Sequence, residues 1–296
     1  MSDKRKPNFF ILGAPKCGTT SVAYWLRDHD NVFVSDPKEP HYFNTDSDFH
    51  DVFSLDQYEA LFDTASDRHR AVGEASVWYL ASDDAVGNIL EYQPDARFIV
   101  CLRNPTEASP SQHDQMVFSG DENLLSFEAA WHAQERRASG RLKLPPTCVD
   151  VKHLLYGPSF CYGSLIEKLY RRVDKDRVCV ILMDDITTDP GAVYRRILKH
   201  VGVEDDGRRE FPLSNPAKER KSMLLRRLNR YFTIIKYRLG ITGGTGLGKS
   251  IDRWNEIVRP RQPLQAGLKQ ELVEYFSADI DLLQDLLGRD LQHWKQ

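Results

Sequence analysis

The chain has few cysteines and no C-x-x-C pair among them: Cys17, Cys101, Cys148, Cys161 and Cys179 stand apart, several inside apolar strand-like runs. A reduced thiol so placed behaves as a small hydrophobe, and the pattern suits a reducing compartment. Long apolar runs are also missing. No segment reaches the length needed to span a bilayer, and the charged start, Met1 to Asn8, leads into no leader-like stretch. A cytoplasmic protein without a transmembrane segment is expected. Charge of one sign is scarce too, since 40 Lys and Arg stand against 43 Asp and Glu for a net charge of −3. That balance argues against general nucleic-acid binding. There is no internal repeat, no low-complexity linker, no H-E-x-x-H and no ligand set at metal spacing, so no metal is expected. What is present is ample core material, 41% hydrophobic residues in 296. One domain over 1–296 is expected, with a core at about 8–205 and a helical and loop region at 206–296 completing an acceptor and nucleotide cleft.

The organising stretch is Phe9-Phe10-Ile11-Leu12-Gly13-Ala14-Pro15-Lys16-Cys17-Gly18-Thr19-Thr20-Ser21. Four apolar residues enter a turn holding two glycines and a proline, and an amphipathic run, Ser21 to His29, follows. Strand, tight loop, helix is the order that leaves backbone N–H groups free at a helix N-terminus. Their orphan donors and partial positive charge suit a phosphate. Lys16 adds a cation, and Thr19, Thr20 and Ser21 add hydroxyls.

Alternation continues along the chain. Asn31 to Val34 reads as a strand and the proline-bounded Ser35 to Phe43 as a stiff loop, followed by a helix at Leu55 to Phe62 and a strand at Ala71 to Ala75. Ser82 to Tyr92 reads as a helix and Arg97 to Leu102 as the strongest strand, with Pro105 opening another helix. Helices at Phe127 to Arg137, Ser164 to Arg172 and Gly191 to Val201 enclose a strand at Arg177 to Met183. The fold class is therefore α/β, a P-loop-like three-layer fold with a central parallel sheet flanked by helices. Ligands in such sheets lie beyond the strand C-termini, where Lys16, Glu74 and Arg103 all fall. Arg103 and Ser111, about two helical turns apart, offer a fork and a hydroxyl for a second phosphate, so a bis-phosphorylated ligand is indicated; a helix-flanking ion pair is the plainer use of Arg103.

Gly13 to Thr20 resembles the 5′-phosphosulfate loop of sulfotransferases that use 3′-phosphoadenosine 5′-phosphosulfate (PAPS), and Arg103 with Ser111 resembles their 3′-phosphate site. Lys38-Glu39-Pro40-His41-Tyr42-Phe43 is similar to the loop carrying the catalytic glutamate in the heparan-sulfate branch, and Gly73-Glu74-Ala75-Ser76 to that branch's next strand end. The resemblance covers about 8–120 well and thins beyond. It implies PAPS as co-substrate and PAP as product, with Lys16, Cys17, Gly18, Thr19, Thr20, Ser21, Arg103 and Ser111 holding the nucleotide. Arg259 and Arg261 are the counterparts of the branch's closing loop. The acceptor is then a small molecule or glycan carrying a hydroxyl, met by Glu39, His41 and Glu74. Lys16 would stabilise charge on the leaving phosphate and Glu39 would take the acceptor proton. His41 is the competing base, which strand-like alternation would put on the same side as Glu39.

Other readings stay open. Gly243-Gly244-Thr245-Gly246-Leu247-Gly248-Lys249-Ser250 fits the Walker A pattern, and Val178 to Asp185 looks like a strand ending in acids, which together describe a P-loop NTPase or kinase. Yet a helical run precedes Gly243, Pro260 follows too soon for a full helix, and the acidic strand comes first. Asp46-Ser47-Asp48 has the D-x-D spacing of metal-dependent glycosyltransferases but lies in a polar loop. Lys218 to Leu239 reads as a basic amphipathic helix: a surface helix on the core, a wall for an anionic acceptor, or a peripheral membrane contact. A non-catalytic nucleotide-binding module is the remaining alternative, although a mere binder needs the cradle and not Glu39.

Overall fold

The computed structural model describes residues 5–49, 52–212 and 263–296 together with the backbone of 218–220 and 256–258. Five strands, β1 (Phe9–Ile11), β2 (Val32–Val34), β3 (Ala71–Ala75), β4 (Arg97–Leu102) and β5 (Val178–Leu182), form a parallel sheet in the order β2-β3-β1-β4-β5. Register is regular: Phe9 lies opposite Gly73 on one side and Arg97 on the other, Val32 opposite Ala71, and Phe98 opposite Val178. Sheets of this kind are covered on both faces and read as continuous apolar runs. Accordingly Phe9, Phe10, Ile11, Leu12 and Phe98 through Leu102 are all fully buried.

The helices are α1 (Thr19–Arg27), α2 (Leu55–Ala60), α3 (Ala85–Tyr92), α4 (Pro105–Ser119), α5 (Phe127–Ala138), α6 (Tyr162–Tyr170), α7 (Met183–Thr188), α8 (Pro190–Val201) and α9 (Ala266–Leu287). Several ends differ from expectation for local reasons. The run expected from Ser82 starts at Ala85, with Asp84 at the N-cap position, and the Ser82 hydroxyl accepts from the N–H groups of Asp84 and Ala85 in the turn before it. The strand expected to reach Met183 stops at Leu182, where Met183 begins α7. Helix α9 lies in the region expected to be helical and loop, 206–296, in which no helix was delimited at this place; its buried Leu268, Leu272, Phe276, Ile280 and Leu283 recur at helical spacing. Lys218–Arg220, read as the start of a basic helix, is instead a short strand paired antiparallel with Glu256–Val258. Backbone pairing there supplies the hydrogen bonds a helix would have made internally. The rest of 218–239 lies outside the described residues, as do Gly243–Ser250, Arg259 and Arg261.

The chain divides into two compact units. The first comprises Met1–Ala108, Cys161–Ser214 and Ser277–Gln296 and contains the whole parallel sheet. Its C-terminal tail is tied in by side chains: the Trp294 indole N–H donates to Asp184 at 2.7 Å, and the Asn104 amide donates to the Trp294 carbonyl at 3.2 Å. The second unit comprises Ser109–Phe160 and Asn215–Phe276. Its centre is a buried ion pair in which both terminal nitrogens of Arg137 donate to Glu122 at 2.7 Å, and the Tyr156 hydroxyl donates to the same carboxylate at 2.9 Å. Two backbone N–H groups, of Asn123 and Leu124, complete its satisfaction.

Removing one member of a pair buried this thoroughly strands the other charge. Arg137→Met is expected to destabilise the second unit by about 3–5 kcal/mol in urea unfolding, and adding Glu122→Leu should recover only part of that loss, because Tyr156, Asn123 and Leu124 then lose their acceptor.

Candidate active site

At the C-terminal edge of the sheet, β1 enters the glycine loop. Pairing with β4 persists past the strand: Ala14 N–H donates to the Cys101 carbonyl at 2.6 Å, and Cys101 N–H to the Gly13 carbonyl at 2.7 Å. Gly13 has φ +128°, and a Cβ there would fall 2.2 Å from the Val77 carbonyl oxygen, so no other residue fits. Lys16 follows in the left-handed region at φ 63°, and Gly18, also left-handed, precedes α1 with no side chain capping the helix. The first-turn N–H groups of α1 are thus the donors expected of an anion site. Thr19 and Ser21 are buried and Thr20 half-buried. The Cys17 side chain is buried: its thiol donates to the Pro15 carbonyl at 3.2 Å and lies 3.3 Å from the Tyr162 hydroxyl. Burial pushes that thiol up to about 12, so it stays protonated at neutral pH.

Arg103 stands where β4 ends. Its guanidinium makes the plainer contact, with Nε and Nη2 donating to Glu107 Oε2 at 3.0 and 2.8 Å. Ser111 belongs to the second unit, buried within α4.

After β2 comes the loop with Glu39 and His41. Strand alternation does not bring these residues together. Both sit in the left-handed region, Glu39 at φ 70° and His41 at φ 49°, and the curled backbone sets His41 Nε2 3.6 Å from Glu39 Oε2. Lys38 pairs with the other carboxylate oxygen. The His41 ring is fully buried, 4.9 Å from the Phe49 ring and 6.1 Å from that of Tyr79, whereas the Glu39 side chain is 34% exposed. Burial would raise the Glu39 carboxyl, but His41 and Lys38 outweigh it and hold it at about 2.

Glu74, expected to touch the acceptor, lies wholly inside. One oxygen accepts from Ser76 at 2.6 Å, the other from Tyr79 at 2.9 Å and Tyr58 at 3.2 Å. Burial raises its carboxyl to about 7 against the three hydroxyls, which favour the ionised form. Sequence reasoning quoted Ser76 only as part of a motif and missed Tyr58 and Tyr79, which come from separate segments with no shared spacing.

The acids offered by other readings have structural partners. Asp185 binds Arg196 at 3.0 Å and Arg289 at 2.7 and 2.8 Å, while Asp184 accepts from Trp294 and His293. Asp46 accepts from the Asp83 N–H at 2.9 Å and from the Ser82 hydroxyl, fixing the turn before α3. Among the described residues no cluster of three or more His, Cys, Asp or Glu is arranged to hold a metal, and no helix is long and apolar enough to cross a membrane.

A family profile described as "Sulfotransferase domain" matches residues 6–215. The chain is 29% identical over 109 residues to the membrane-associated sulfotransferase kil1 of Dictyostelium discoideum, covering 36% of this chain and 22% of that protein. It is 25% identical over 207 residues to the human bifunctional heparan sulfate N-deacetylase/N-sulfotransferase 3, covering 67% of this chain and again 22% of the relative. The chain therefore matches less than a quarter of the length of either relative. A solved sulfotransferase from Alicyclobacillus acidocaldarius superposes with TM-score 0.71 at 24% identity, covering 99% of this chain and 100% of that one, which establishes the shared fold.

The Glu74 carboxyl carries a pH signature. Its folded pKa exceeds the unfolded one, so the folded state binds more protons, and its stabilising contribution is complete below about pH 4.5 and lost as pH rises towards 7. The stability difference between wild type and Glu74→Gln, from urea unfolding, should therefore fall between those limits and be level outside them. A difference independent of pH would contradict this.

Proposed function

The chain belongs to the sulfotransferase family, and on that premise we propose that it transfers a sulfuryl group from PAPS to an acceptor hydroxyl, with Glu39 taking the proton. The carrying observation is the pairing, within one unit, of an uncapped helix N-terminus beside Lys16 with a partly exposed carboxylate on the loop after β2. A phosphate binder needs the first. A group-transfer enzyme needs both.

PAPS supplies the activated sulfuryl group and a leaving phosphate. On this reading the N–H groups of Cys17, Gly18 and Thr19, the hydroxyls of Thr19, Thr20 and Ser21, and the Lys16 ammonium hold the 5′-phosphate and meet the charge that grows on it. Arg103, at the end of β4, meets the 3′-phosphate. As the acceptor oxygen bonds to sulfur, the sulfur–oxygen bond to the phosphate breaks with its electron pair staying on PAP, and the hydroxyl proton passes to Glu39. A carboxylate held near 2 binds a proton weakly, yet bonding to sulfur acidifies the hydroxyl before the proton leaves, so a permanently ionised acceptor suffices. Exposure supports Glu39 over His41, which is fully buried behind it. A sugar hydroxyl is favoured, since a mouse relative 22% identical over 201 residues is named heparan sulfate glucosamine 3-O-sulfotransferase 3B1. No metal enters this scheme, because Lys16 supplies the positive charge.

Glu39→Gln should lower kcat for transfer of labelled sulfate from PAPS to a heparan-type oligosaccharide, or to whichever hydroxyl class a screen accepts, by about 100-fold, with PAP affinity unchanged. Normal turnover would remove Glu39 from the chemistry.

The Glu107 contact yields a second expectation. A phosphate on Arg103 must displace that carboxylate, so Glu107→Gln should tighten PAP binding severalfold, whereas Arg103→Ala should weaken it by about 2 kcal/mol. Calorimetry with PAP reads both, and a neutral Arg103→Ala would refute the 3′-phosphate assignment.

A further inference from the structure

The loop that carries Glu39 is held in place by hydrogen bonds to two hydroxyls. His41 N–H donates to the Ser76 hydroxyl oxygen at 3.2 Å, and the N–H groups of Tyr42 and Phe43 donate to the Tyr79 hydroxyl oxygen at 2.9 and 3.2 Å. Those are the same two hydroxyls that donate to Glu74, one to each carboxylate oxygen, at 2.6 and 2.9 Å. A hydroxyl has a single proton and two lone pairs. Committing the proton of each to Glu74 turns the lone pairs of both towards the loop, so three consecutive backbone donors find acceptors. The loop needs such anchoring, because two non-glycine residues held in the left-handed region are costly unless the surroundings over-determine them.

We propose that Glu74 is a positioning residue: through Ser76 and Tyr79 it fixes the backbone at 41–43 and thereby the placement of Glu39 against His41. The inference rests on the reading of Glu39 as the carboxylate that meets the acceptor. Tyr58 separates this role from general core stability. It also donates to Glu74, at 3.2 Å, and stacks on Tyr42 with ring centroids 4.9 Å apart, but its hydroxyl receives none of the three loop N–H groups. Around Glu74 the charged and titratable neighbours are Tyr58 from α2, Tyr79 from the turn after β3, and Lys38 from the loop itself.

The test reads the Glu39 carboxyl and requires no acceptor. With ¹³C-labelled glutamate, the Glu39 side-chain resonance, assigned by its loss in Glu39→Gln, is followed from pH 7 downwards. In the wild type it should remain that of a carboxylate to about pH 3, because His41 and Lys38 hold it low. Tyr79→Phe and Ser76→Ala each release part of the loop backbone directly, and Glu74→Gln, whose amide N–H would donate to one of the two hydroxyls, releases it through them; in each the resonance should titrate near pH 4, the ordinary range for Glu. Tyr58→Phe, which preserves the ring stack, should behave as wild type. PAP affinity should stay within about twofold in all four. The proposal is overturned if Glu39 titrates as in the wild type in folded Glu74→Gln, or if Tyr58→Phe shifts it equally. Its failure is distinct from failure of the proton-acceptor reading: a shifted Glu39 in Tyr79→Phe beside full turnover in Glu39→Gln would leave the positioning role standing and refute the base.

Discussion

Everything at the site depends on how β1 is held. It is the middle strand, hydrogen-bonded on both sides, and its neighbours continue to grip the chain after the strand ends. Leu12 N–H donates to Ile99 and Ala14 N–H to Cys101 on the β4 side, while Ser76 N–H donates to Ile11 and Leu80 N–H to Leu12 on the β3 side. The glycine loop is thus clamped between two strand exits before it turns into α1. The same clamp fixes the turn that carries Ser76 and Tyr79 and the place where Arg103 leaves β4. Ligands of open parallel sheets gather at this edge because strand order reverses there and loops from either side diverge.

Charge at this edge is arranged by burial and pairing together. Lys38 and His41 keep Glu39 ionised in spite of burial, while Glu74, deeper and with only hydroxyl donors, is driven the other way. Two glutamates in adjoining segments therefore differ by their neighbours: one is a permanent anion near the surface, the other a buried carboxyl that organises hydroxyls. The Arg103–Glu107 contact belongs to the same economy of charge. An exposed i,i+4 pair is worth about 1 kcal/mol at most, so an anion binding Arg103 in place of the carboxylate would forgo only that much.

Much of this was legible in the chain itself, and for identifiable reasons. Arg97–Leu102 and Ala71–Ala75 were read to the residue because strands buried on both faces are uninterrupted apolar runs. The loop at Gly13–Thr20 was legible because its glycines meet a steric demand that can be read from residue type. The arrangement inside the 38–43 loop was not, since its left-handed backbone at Glu39 and His41 arises from non-local anchors at Ser76 and Tyr79. The plainer use of Arg103 was read as a helix-flanking ion pair with no partner named, and the apolar repeat of α9 went unread. The acids that end β5 entered the NTPase alternative by residue type alone; the Arg196 and Arg289 that close on Asp185, the latter about a hundred residues away, carry no local signal.

The central claim is that the nucleotide sits at the loop after β1 and not at the glycine-rich segment Gly243–Ser250. Calorimetric titration of PAP into wild type, Lys16→Ala and Lys249→Ala tests it directly. Lys16→Ala is expected to weaken binding at least tenfold, about 1.4 kcal/mol, with Lys249→Ala indistinguishable from wild type. Binding lost in Lys249→Ala and retained in Lys16→Ala would contradict the claim.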